Sequence, residues 1–381
     1  MRPIAPLLTL LGLVAVSSSC TSNDTARDGG ALTVKSTSDA CEVSASKAPS
    51  GNVVFEVTND GSEVTEFYML ADDGLRIVGE VENIGPGLTR NLVVQAGPGS
   101  YFTACKPGMV GDGIRAPFTV TDSGAEVATG DIAAQLDTAT EQYRLYVRDQ
   151  IAQLVDKTEQ FADLYVAGDD DGARALYAVA RTHWERVEPV AESFGDLDPR
   201  LDLREADLEE GQAWTGWHAI EKDLWPPAVG YTAFTAAERA ALAEQLVADT
   251  AELSTRVQDL TFNATQLGNG AKELLDEVAT GKVTGEEEIW SHTDLWDFQA
   301  NVDGARIAFE ALQPALETKD AELAATLTDR FTDLQTLLDQ YRDGDGFLLY
   351  TDLTDDQIKE LATAVNALSE PLAELTAAVV L

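Results

Sequence analysis

Near Asp122 the hydrophobic period of the chain changes, and no single architecture accommodates both halves. Before that point apolar and polar residues alternate: Val53, Phe55 and Val57 interleave with Val54, Glu56 and Thr58 before the turn Asn59-Asp60-Gly61. Asn91 to Val94, the turn Gly97-Pro98-Gly99 and then Tyr101 to Cys105 repeat the theme. Short period-two runs punctuated by turn residues read as strands. Roughly 90 residues of them predict a β-sandwich over 31–122.

After Asp122 the composition turns to Ala, Leu, Glu, Asp and Gln, and apolar residues recur at spacings of three and four. Thr354 and Gln357 form a capping box signal, and Ile358, Leu361, Val365, Leu368, Leu372, Leu375 and Val379 follow on one stripe. That predicts a helix of about seven turns, bent at Pro371. Thr235 and Glu238 open a similar helix carrying Leu242, Leu246, Leu253, Val257 and Leu260, and comparable patterns run from Ile132 to Val166 and from Asp320 to Tyr341. The expectation over 130–381 is an all-α, up-and-down domain with enough helices for two four-helix bundles side by side. At 381 residues the chain is long enough for two domains, each with its own core.

Residues 1–20 read as a removable export signal: Arg2, an apolar run from Ile4 to Val16, then Ser17, Ser18, Ser19 and Cys20. The run is too short for a mature transmembrane helix, and no later stretch qualifies. A cysteine after small residues resembles a lipoprotein site, which would make Cys20 a lipidated N-terminus and Thr21 to Gly30 a flexible tether. The chain would then sit at the cell surface or in the periplasm, held to the membrane by lipid. Ser17 stands where such sites usually carry Leu, so a free secreted form is the alternative.

Cys41 and Cys105 remain, and an even remainder in an exported protein suggests a disulfide. The other reading is a metal site, for copper or a second iron, drawing on Cys41, Glu42, Glu66, Met69, Cys105 and Met109. An ordinary blue-copper site uses two His and one Cys, and no His precedes His183. The favoured reading is a disulfide with core methionines.

Acidic residues number 66 against 26 basic, a formal net charge of -40. Nucleic acid is excluded as a partner because its phosphates would be repelled. Such a field either keeps an exported protein soluble or concentrates cations at its surface.

The acidity is densest between Arg181 and Trp225. Glu185, Glu188 and Glu192 are spaced i, i+3 and i+7, one narrow helical stripe, disfavoured unless it is solvated or a cation sits over it. His218 and Glu221, at i and i+3, point the same way on a short helix that Thr215 could cap and Pro226 must end. His183 lies roughly 200° around the helix from Glu185, which suits a supporting role. Pro189 could kink this helix and move its faces.

The strings HWERVEPVAESFGDLDPRLD, GWHAIEKDLW, GEEEIWSHTDLWDFQANVDGAR and YRDGDGF occur in this order. Together they resemble the periplasmic iron-uptake proteins of the EfeO type, in the imelysin-like group with an HxxE motif. The segment before residue 125 resembles the cupredoxin-like domain of the longer members. The resemblance implies a metal set of Glu185, Glu188, Asp202, His218 and Glu221, taking Fe²⁺ or Fe³⁺. Mostly carboxylate with one imidazole suits iron or manganese better than zinc or calcium. It also implies an iron permease and a haem peroxidase as partners, and a part for the first domain in oxidation or handover of the metal.

Two other functions stay open: an HxxE metallopeptidase and a cation-bridged binder of acidic polysaccharide. A zinc peptidase of the HExxH kind needs two His at i and i+4, and His218-Ala219-Ile220-Glu221 has one. His292, with Trp290, Trp296 and Phe298 around it, reads as structural, with a contribution to the metal cleft as the alternative. Asp343-Gly344-Asp345-Gly346 reads as the turn between the last two helices.

Overall fold

Alternation in the first half becomes two sheets. The computed structural model describes residues 30–74, 77–111, 113–123, 131–208 and 211–381, so the export signal and Cys20 lie outside the described residues. The strands are β1 (Leu32–Ser36), β2 (Cys41–Val43), β3 (Lys47–Pro49), β4 (Gly51–Asn59), β5 (Thr65–Leu70), β6 (Ile77–Ile84), β7 (Thr89–Ala96), β8 (Gly99–Pro107) and β9 (Ile114–Thr121). They pair in the orders β2-β1-β4-β7 and β3-β9-β8-β5-β6. Val53, Phe55 and Val57 of β4 face inward as the period requires, and the Phe55 ring lies 5.0 Å from Phe67 and 5.5 Å from Phe118.

Cys41 of β2 and Cys105 of β8 are disulfide-bonded, which staples one sheet to the other. The bridge joins positions 64 residues apart, and removing a constraint on a loop of that kind costs about 3 kcal/mol. A Cys41→Ser, Cys105→Ser variant is expected to unfold at a lower urea midpoint than the parent. Added reductant should lower the parent's midpoint and leave the variant's unchanged. Glu66 accepts a 2.5 Å hydrogen bond from the Tyr68 hydroxyl and pairs with Lys106 at 3.8 Å. Met69 is a core methionine, as expected. Met109 is not: it sits in a turn after β8 with φ 59°, which lifts its side chain toward solvent.

The second half is helical: α1 (Asp131–Ala167), α2 (Asp170–Glu185), α3 (Leu197–Asp202), α4 (Trp217–Leu224), α5 (Ala236–Arg256), α6 (Ala264–Thr280), α7 (Asp294–Lys319) and α8 (Ala321–Leu338). A hairpin, β10 (Arg342–Asp343) with β11 (Gly346–Phe347), leads to α9 (Asp355–Leu372) and α10 (Leu375–Val380). The capping boxes at Thr235 and Thr354 both form. The Asp343 to Gly346 segment is the turn of that hairpin, between α8 and α9. The last stripe is split between two helices: Pro371 has no N–H to continue the ladder, and α9 ends at Leu372. Leu361 to Val379 nevertheless stay on one buried line.

Two groups of four helices share α7: it packs on α1 and α2, with α5 against α1, in one group, and with α6, α8 and α9 it forms the other. Its buried positions run around the whole helix, from Leu295 and Phe298 through Ala300, Val302 and Ala305 to Leu316, as a central helix must. The sandwich rests on α6 and α10. Asn269 donates to the Val93 carbonyl at 3.0 Å, and Asn52 to that of Val380 at 2.8 Å. Among the described residues no helix is long and apolar enough to cross a membrane.

Candidate metal centre

Four short elements and the start of α7 deliver polar side chains to one buried point. The C-terminal turns of α2 carry Arg181 and Glu185, α3 ends on Asp202, and α4 presents His218 and Glu221. The turn before α7 adds Glu287 and Glu288, and α7 itself adds Asp297 and Asn301. His292 makes that turn possible. Its φ is 61°, its N–H donates to the Glu288 carbonyl at 2.7 Å and its own carbonyl accepts from Tyr350 N at 2.8 Å. Its part is played by the backbone, in line with a structural role.

Helix α4 is set down against α3 by Gly216 rather than by the expected Thr215 cap. Thr215 Oγ1 donates instead to the Arg200 carbonyl at 2.9 Å, and Gly216 takes the N-cap position without a side-chain bond. At Gly216 φ is 86°, and a Cβ there would stand 2.1 Å from the Leu201 carbonyl oxygen. Gly216→Ala is therefore expected to cost about 2 kcal/mol in thermal unfolding. It should also weaken metal binding in titration, because His218 and Asp202 would be pushed apart.

His218 lies at the centre, 2 % exposed. Its Nδ1 is 3.3 Å from Glu221 Oε2 and 3.9 Å from Glu288 Oε1, while its Nε2 is 3.4 Å from Asp202 Oδ1 and 3.7 Å from Glu287 Oε1. Glu221 is locked by the backbone N–H groups of Trp290 and Ser291, at 2.9 and 2.7 Å to its Oε1. Glu288 accepts from the Tyr177 hydroxyl at 3.2 Å and the Ser291 hydroxyl at 2.9 Å, and Asp202 from Trp184 Nε1 at 2.7 Å. Arg181, wholly buried, bonds Glu185 and Asp202, and its Nε lies 2.6 Å from Glu288 and 3.5 Å from Asp297.

Burial and the Arg181 charge push the His218 pKa down. The hydrogen bond to Glu221 and the nearby Glu287 and Asp202 carboxylates outweigh them, so that it rises to about 9. Despite burial, Lys282 and His218 hold Glu287 well below the carboxylate range, and Arg181 and His218 do the same for Asp202. Glu288 goes the other way, because burial and the Glu221 charge disfavour its ionised form.

Of the five residues predicted from sequence, the structure sets Asp202 and Glu221 against His218, while Glu185 shares Arg181 with Asp202 and Glu188 lines the same cavity, both of them engaged by Lys282. The cation over those two glutamates is the chain's own Lys282, 2 % exposed, whose Nζ lies 3.0 Å from Glu185 and 2.7 and 2.8 Å from the Glu188 oxygens. Asn301 Nδ2 donates to both. The three-glutamate stripe does not form, because α2 stops at Glu185 and a 3₁₀ segment, Glu188–Phe194, follows with Pro189 in its first turn. His183 turns away to Gln150 of α1, at 2.9 Å.

Sequence reasoning passed over Glu287, Glu288, Asp297 and Lys282. The signal for the first two was the run Glu286-Glu287-Glu288 beside Trp290, whose chemistry depends on a turn that no spacing rule predicts.

Two donor sets meet at the imidazole: Asp202, His218 and Glu287 on one side, and His218, Glu221 and Glu288 on the other, each with ligand atoms within 4.8 Å of one another. The first borders open space. Asp202 and Glu287 line a cavity of about 290 Å³ that runs from this point to the sandwich. His218 Nε2, which points between them, is buried without a hydrogen-bond partner. A metal binding there displaces the Nε2 proton that the raised pKa favours and leaves Nδ1–H directed at Glu221.

The family model for imelysin, peptidase M75, matches residues 139–375. The chain belongs to the imelysin family. A cupredoxin-like model matches residues 7–120, in keeping with the sandwich. Among imelysin-family relatives, a protein of Escherichia coli named "Iron uptake system component EfeO" is 36% identical over 353 residues, covering 92% of this chain and 92% of the relative. The Shigella flexneri protein of that name matches equally. A crystal structure of an imelysin-like protein from Psychrobacter arcticum aligns with 65% of this chain and 95% of its own, at 12% identity and a TM-score of 0.48.

Proposed function

We propose that this chain is the exported iron-binding component of an iron uptake system, and that it carries Fe²⁺ or Fe³⁺ as cargo at His218 Nε2, Asp202 and Glu287. Glu221 orients the imidazole through Nδ1, and Arg181 positions Asp202 and Glu288. The observation that carries this reading is the unpartnered, buried His218 Nε2 between two carboxylates that line the cavity. Mixed carboxylate and imidazole donors suit iron, and the names of the 36% identical relatives support iron uptake. Delivery to a membrane permease, with a haem peroxidase in the same system, and a lipid anchor at Cys20 belong to the same proposal.

Titration of the exported chain with Fe²⁺, Fe³⁺, Zn²⁺ and Ca²⁺ tests it against a His218→Ala variant, with casein digestion run alongside. Iron binding that falls sharply in the variant, without digestion, is the expected result. Metal-dependent casein cleavage that disappears in the variant would make the chain a peptidase instead.

A further inference from the structure

The far end of the cavity has chemistry of its own. Its walls there are Glu80 and Glu82 of β6, Glu192 of the 3₁₀ segment and Glu273 of α6, so the sandwich contributes as much as the helices. Residues two apart on a strand share a face, and while Val81 and Ile84 enter the sandwich core, Glu80 and Glu82 turn to the helices. The elements are held at close range. A Cβ at Gly270 would lie 1.8 Å from the Pro189 carbonyl, so α6 and the 3₁₀ segment pack backbone to backbone.

Glu80 is 5 % exposed, and its Oε2, lining this cavity, has no hydrogen-bond donor. A buried carboxylate oxygen without a donor is costly unless something positive approaches it. Its neighbour on the cavity wall is another carboxyl, that of Glu192, close enough for each to shift the other's titration. Two carboxyls so close share either a proton or a cation. Burial and the Glu273 and Glu82 charges raise Glu192 to about 7, even against the lowering effect of Glu80. Among the described residues lining the cavity the one cationic side chain is Arg204, which is taken up by Asp207 at 2.8 Å and Glu286 at 3.1 Å.

We propose that Glu80 and Glu192 are the ligand pair of a second cation site between the sandwich and the helical domain, with Glu82 and Glu273 as further carboxyls beside it. All its donors are carboxylate oxygens, so it takes a hard divalent or trivalent ion that keeps water in its remaining positions. The site at His218 offers nitrogen and the second site does not, so the two differ in selectivity. The second site also ties the two domains together through the ion. It stands whether or not His218 carries iron.

The test uses the full exported chain carrying His218→Ala, which removes the first site, titrated with Ca²⁺, Tb³⁺ and Fe³⁺. One hard ion per chain is expected to bind, and to raise the melting temperature. Adding Glu80→Gln or Glu192→Gln should weaken that binding at least 10-fold and abolish the thermal shift. Glu80→Gln keeps a carbonyl oxygen to accept from Tyr68 and leaves the donorless Oε2 position to an amide, so the ion-free variant should melt no lower than its parent. Hard-ion binding that is absent in the His218→Ala chain, or unchanged by both glutamine substitutions, would overturn the site. Either result leaves the reading of His218 untouched.

Discussion

Glu287→Ala is expected to lose as much iron affinity as His218→Ala, although the HxxE motif contains no hint of Glu287. Its Oε1 stands 3.7 Å from His218 Nε2, on the side of the imidazole that faces the cavity. Groups that merely orient a ligand cost about 10–100-fold in metal affinity when removed, and a ligand should exceed that range. Glu221→Gln should fall inside it: the amide keeps the size of the side chain but changes the partner at Nδ1, where the carboxylate now lies 3.3 Å away. Isothermal titration with Fe³⁺ in a weakly chelating buffer distinguishes the two. Should Glu221→Gln abolish binding while Glu287→Ala leaves it intact, the metal lies on the Nδ1 side, with Glu221 and Glu288.

The contrast between Glu221 and Glu287 marks how far the sequence could be read. Strand and helix periods are local properties, and they placed the sandwich, the long helices and the capping boxes at Thr235 and Thr354. The HxxE pair is local too, since i and i+3 on α4 share a face. Asp202 reached the set through family resemblance, because nothing in its spacing shows that α3 touches α4. Glu287 and Glu288 depend on a backbone turn fixed by a non-glycine residue at positive φ, His292, and by a hydrogen bond from Tyr350, far along the chain. What surrounds Glu185 and Glu188 was hidden in the same way. Their repulsion was legible, and a cation was expected over them, but the residue supplying it lies on a different element 94 and 97 positions away.

That supplier gives the largest stability effect expected outside the metal centre. Lys282→Met would keep most of the volume of the side chain and remove the one ammonium shared by Glu185 and Glu188. Breaking a buried pair from one side costs about 3–5 kcal/mol, because the remaining charge is left without compensation. Here Glu188 loses its one ion-pair partner while Glu185 keeps Arg181, and Glu287 at 3.8 Å is a third neighbour, which keeps the loss within that range, at about 3–5 kcal/mol. For a helical domain of this size that corresponds to a drop of roughly 10–20 °C in melting temperature. Burial and the Glu185 charge already hold Glu188 well above the usual carboxylate range with Lys282 present. Without it the folded state favours protonated Glu188 still more, so the deficit should grow as pH rises and shrink as pH falls. Adding Glu188→Gln to Lys282→Met should recover part of the loss, and thermal melts of the four combinations give the coupling directly. Additive effects would mean that Lys282 is not the cation that neutralises this pair.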